Sequence, residues 1–100
     1  MTVPYPPHIQ QLSTTDPAFF ELVAREHDLV MGPGAMDVKS KLLVLLAVDA
    51  YAGSTGVAPI AEAARRCGAS QHEIVETLRI ATHVAGGRVL TAAAPALLPG

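Results

Sequence analysis

Charge is scarce in this chain. Only 16% of its 100 residues are Asp, Glu, Lys or Arg, while half are apolar. A typical globular protein carries about 25% charged residues. A domain this small leaves much of its surface exposed, so the shortage implies apolar surface buried against another chain. The net charge of −2 leaves no basic stripe to neutralise phosphates, which argues against nucleic acid as a partner. Cysteine is almost absent. Cys67 stands alone, so the chain has no internal disulfide and no Cys-x-x-Cys pair. Long hydrophobic runs are missing too. The longest, "LLVLLAV" from Leu42 to Val48, is far too short to span a bilayer. The opening "MTVPYPPHIQQ" lacks the basic and apolar regions of a signal peptide. The expectation is a cytoplasmic protein without a membrane partner.

What is present is helical periodicity. Residues 1–15 carry Pro4, Pro6 and Pro7 and little pattern, which predicts an extended N-terminal arm. Residues 16–100 read as one helical domain. Asp16 is placed to cap a first helix, with Pro17 in its first turn and Phe20, Val23, His27 and Val30 on one face. Gly32 and Pro33 stop it. Asp37 caps a second helix that ends at Gly53, and its run from Leu42 to Val48 predicts burial on most sides. A third helix starts near Gly56, since Pro59 must lie in the first turn. Val57, Ile60, Ala61 and Ala64 form its buried stripe, and Gly68 ends it. Ser70 and Glu73 form a capping box for a fourth helix. Ile74, Leu78, Ala81 and Ala85 line its inner face, and Gly86 and Gly87 are expected to end it. The tail predicts one more short helix, broken near Pro95. No segment alternates as a strand does. The fold class is therefore all-α, a small antiparallel helical bundle.

The pieces "DPAFFELVAREHDLVMGPGAMDVKSKLLVLLAVDA" and "AARRCGASQHEIVETLRIATHVAGG" resemble the carboxymuconolactone decarboxylase family, which includes the alkyl hydroperoxidase D-like proteins. The resemblance runs over roughly residues 16 to 97. It implies subunits that assemble as trimers or hexamers. Peroxidase-type members carry a Glu early in the oily helix and Cys-x-x-Cys-x-x-x-His at the start of the next. One thiolate attacks the peroxide, the second resolves it, and His and Glu move protons. Counted back from Gly68, the two Cys positions fall on Gly53 and Gly56 and the His position on Ile60. Counted forward from Lys39, the Glu position falls on Leu42 and the Cys positions on Ser54 and Val57. The two counts differ by one residue, which implies a turn one residue short. Neither count meets a thiol or an imidazole, so the peroxidase inference fails.

Few polar residues remain as candidates. Cys67 has no resolving partner and lies on the stripe Val57, Ile60, Ala64, Cys67, so it reads as a small apolar residue. Asp49 follows seven apolar residues, and a carboxylate in that setting needs a partner. It either caps Gly56 or Val57 at the start of the third helix, the favoured reading, or is the acid of a small pocket. His72, Glu76, Arg79 and His83 recur along one helix face. That pattern suits a metal or pocket wall, but more often a solvated face with a Glu76–Arg79 pair. His83 is the catalytic candidate of that face. His27 reads as a hydrogen-bonded core histidine, and His8 carries no signal.

These readings predict a homo-oligomeric, non-redox binding or accessory subunit, with no metal and no cofactor, open to a small-molecule ligand. The alternative is a lyase- or decarboxylase-like enzyme on a small acidic or lactone substrate, using Asp49 and His83. A peroxidase is the third reading, and the residues argue against it.

Overall fold

The computed structural model describes residues 5–98. Those residues hold six helices and no strand, so the helices-only class is as the periodicity predicts, with one helix more than expected. The chain divides into two compact units, Met1–Lys41 and Leu42–Gly100.

In the first unit, α1 spans Pro7–Thr15 and α2 spans Pro17–Met31, and the two pack together. α1 corrects the extended arm expected over residues 1–15. The described prolines sit where a helix tolerates them. Pro6 is the N-cap with an extended ψ of 152°, and Pro7 opens the first turn, whose amides have no helical partner in any case. The carbonyl of Pro6 accepts from Ile9 and Gln10 N–H, both at 3.0 Å. Pro4 lies outside the described residues.

Asp16 serves two helices. Its N–H donates to Leu12 O at 2.8 Å and closes α1, while its carboxylate accepts from Phe19 N–H at 3.1 Å and opens α2. Phe20, Val23 and His27 are half-buried as expected, but Val30 is 44% exposed and Met31 takes the buried place. Gly32 ends α2 for reasons of space: a β-carbon there would lie 2.5 Å from Asp28 O. Its carbonyl accepts from Lys41 Nζ at 2.6 Å.

Helix α3, Val38–Ala52, starts where predicted. Asp37 accepts from Ser40 N–H at 2.7 Å, and that bond holds its carboxyl below the usual carboxylate range. Leu42 and Leu46 are fully buried, yet Val44 and Val48 on the same run are exposed. The expectation of burial on most sides is corrected there. One stripe of α3, Val44, Val48 and Tyr51, is left uncovered.

The second unit continues through α4, Val57–Arg66, α5, Gln71–Ala92, and α6, Ala94–Leu97. Ala61, Ala63, Ala64, Ala69 and Ile74 are buried with Leu42 and Leu46. Val57 and Ile60 are only half-buried. α4 ends as Gly68 predicts: Gly68 takes φ +99°, its N–H donates to Arg65 O at 3.0 Å, and Ala69 N–H donates to Ala64 O at 2.9 Å. The capping box forms, with Glu73 N–H on Ser70 Oγ at 3.1 Å and Ser70 N–H on Glu73 Oε1 at 2.9 Å.

Gly86 and Gly87 do not end α5. Both lie inside the helix, and neither has a positive φ. Glycine stops a helix when it supplies the left-handed turn at the C-terminus, and these two are not asked to. Ala85, expected on the inner face, is exposed. Pro95 sits in the first turn of α6 and so begins that helix.

Candidate functional site

The turn between α3 and α4 is built by local rules. Gly53 takes φ +72°, its N–H donates to Ala50 O at 3.2 Å, and Ser54 N–H donates to Asp49 O at 2.9 Å. This is the same closure that ends α4, and a left-handed residue is required for it. One of the positions that the resemblance assigns to a thiol is thus taken by the glycine that terminates α3. Ser54 Oγ accepts from Gly56 N–H at 3.2 Å and shapes the approach to α4.

Asp49 is half-buried, and its carboxylate lies over Gly56. A β-carbon at Gly56 would sit 2.5 Å from Asp49 Oδ2 and 3.6 Å from Ile60 Cδ1. Gly56 has φ −79° and ψ −2°, an ordinary helical conformation, so closeness to the carboxylate is what calls for glycine here. The predicted cap is half right. The acid reaches the N-terminus of α4, where the helix dipole favours an anion. It makes no cap hydrogen bond, because α4 has no side-chain cap and Gly56 N–H is already bonded to Ser54.

His83 is exposed on α5, as are His72, Glu76 and Arg79. The expected Glu76–Arg79 ion pair is not formed among the described residues. No group of three or more His, Cys, Asp or Glu among them is placed to hold a metal ion. Cys67 is half-buried at the end of α4.

Two contacts carry no signal in the sequence. Arg88 Nη1 donates to Tyr51 Oη, and its guanidinium lies 5.5 Å from the centre of the Tyr51 ring. A helix ended at Gly86 leaves Arg88 outside it, and nothing local pairs residues 37 apart. In the first unit, Tyr5 Oη donates to Asp28 Oδ1 at 2.9 Å. That hydrogen bond to a carboxylate, with smaller contributions from burial and Asp28's charge, pushes the Tyr5 phenol above its ordinary range. The Tyr5 ring meets Phe20 and His27 edge-on at 5.7 and 4.7 Å. His27 corrects its expectation: Nδ1 is buried, has no hydrogen bond, and stands 3.6 Å from Asp28 Oδ1.

No helix among the described residues is long and apolar enough to cross a membrane. The model of the carboxymuconolactone decarboxylase family matches residues 17–98. No curated protein and no solved structure matches the chain. A family match over most of the chain agrees with the helices-only fold and with the order of the caps and turns, and the chain belongs to the carboxymuconolactone decarboxylase family.

Proposed function

We propose that this chain is a non-redox, homo-oligomeric member of its family that works as a binding or accessory subunit. The observation that carries the reading is the α3–α4 turn. The positions to which the resemblance assigns thiols hold Gly53 and Gly56, or Ser54 and Val57: Gly53 supplies the left-handed residue of the turn, Ser54 Oγ accepts from Gly56 N–H, and Val57 opens α4. Cys67 lacks a second cysteine anywhere in the chain, so a sulfenic acid formed there has no resolving thiol. Support for assembly comes from the exposed apolar side chains, among them Leu29 at 82% and Val48 at 60%. The test is hydroperoxide consumption with a thiol reductant. The expected result is no turnover above the reductant alone, in the parent and in Cys67→Ser.

A second reading draws on one observation. Asp49 is a half-buried carboxylate without a cap hydrogen bond, which suits an acid that serves a small ligand. In that reading Asp49→Asn abolishes lactone or acidic-substrate turnover while the protein stays folded. Unchanged turnover in Asp49→Asn would end it.

A further inference from the structure

We infer that the outer ridge of α5 is a self-association surface on which two copies of this chain pair antiparallel about a two-fold axis. The inference rests on the homo-oligomeric reading above and assigns it a surface. Glu76, Ile80, Val84 and Arg88 recur at four-residue intervals, so they form one ridge along the helix. Ile80 is 61% exposed and Val84 50% exposed, and Glu76 and Arg88 flank them in the open.

The order of chemistry along this ridge is acid, apolar, apolar, base. A two-fold axis passing between Ile80 and Val84 reverses the ridge in the second copy. It sets Ile80 against the partner's Val84 and Glu76 against the partner's Arg88, twice over. Such a surface is complementary to itself, as an isologous interface must be. A parallel copy in register along the same ridge would set like charges side by side instead. Ridges of i, i+4 type pack on one another at a crossing of about −50°. That crossing concentrates the apolar contact at the centre and leaves the longer charged side chains to reach across at the edges.

Two further observations support the assignment. Glu76 has no ion pair in its own chain among the described residues, so its charge is available to a partner. Arg88 is held in place by Tyr51, which fixes its guanidinium before any partner arrives. Tyr51 is also the last residue of the uncovered α3 stripe that begins at Val44. The Tyr51–Arg88 contact therefore joins the ends of two exposed apolar stripes. A stable interface needs roughly 800 Å² from each copy. Two side chains do not supply that, and the adjoining α3 stripe extends the patch.

The experiment is sedimentation velocity over a micromolar concentration series, with circular dichroism to confirm the fold of each variant. Glu76→Arg and Arg88→Glu should each weaken self-association roughly tenfold or more, because each sets like charges together twice in a symmetric pair. An equimolar mixture of the two variants should associate again, since one chain then presents arginine at both ends of the ridge and the other presents glutamate at both. The double variant Glu76→Arg/Arg88→Glu should self-associate like the parent. Should Arg88→Glu fail to fold without its Tyr51 contact, Glu76→Arg and Val84→Asp decide alone, since loss of assembly is expected in both. A parent that assembles while Glu76→Arg and Val84→Asp sediment unchanged would overturn the α5 surface and leave the oligomeric reading standing. Weakened single variants whose mixture stays dissociated would overturn the charge pairing. A parent that is monomeric throughout would overturn both.

Discussion

Asp49 and Gly56 define each other. The carboxylate occupies the space a β-carbon at Gly56 would need, 2.5 Å from Oδ2, while the backbone of Gly56 is unstrained. Gly56→Ala should therefore destabilise the parent by about 1 kcal/mol, and should be neutral or mildly stabilising in an Asp49→Ala background. A double-mutant cycle from thermal melts checks this, and additive effects would show that the two residues do not touch. Tyr5 offers a second test at this scale. Its folded phenol lies above its unfolded value because the protonated hydroxyl donates a hydrogen bond to the Asp28 carboxylate. The associated stability is fully present below the ordinary value of about 10 and is lost as pH rises through the folded value. An alkaline titration by absorbance should find a phenol above the ordinary range in the parent, returning toward it in Asp28→Ala. Asp49 is visible in the sequence because an acid after an apolar run needs an explanation. Tyr5–Asp28 and Tyr51–Arg88 are not, since no periodicity encodes a contact between distant residues.

The boundaries set by side-chain chemistry are legible one by one: Asp16, Asp37 and Ser70 cap where expected. Glycine is the ambiguous letter. Gly53 and Gly68 are left-handed terminators, whereas Gly86 and Gly87 are ordinary helical residues with open space where a β-carbon would go. Sequence shows the residue but not the φ it adopts. The same substitution should separate the two kinds. Gly86→Ala should stabilise the protein by roughly 0.5–1 kcal/mol, because alanine has the higher helix propensity. Gly68→Ala should destabilise it by about 1 kcal/mol, because a β-carbon is strained at φ +99°. Equal effects in thermal melts would contradict this reading of α5. Proline misleads in a parallel way. Pro6 and Pro7 suggest an extended arm, although the N-cap and the first turn are where a helix accommodates proline.

Across the whole molecule, low charge and exposed apolar stripes fit the proposal of a chain that hides surface against copies of itself. Family membership rests on a match over residues 17–98. The family's redox chemistry does not follow from it, because that chemistry depends on a few side chains in one turn. The helix-ending glycine, the serine that shapes the turn and the carboxylate against Gly56 each have a structural part in the α3–α4 turn, which supports the non-redox proposal. The most direct test is peroxide consumption by the purified protein with a dithiol reductant, comparing parent with Cys67→Ser. Both should match the reductant alone. Catalytic turnover in the parent, abolished in Cys67→Ser, would overturn the non-redox reading.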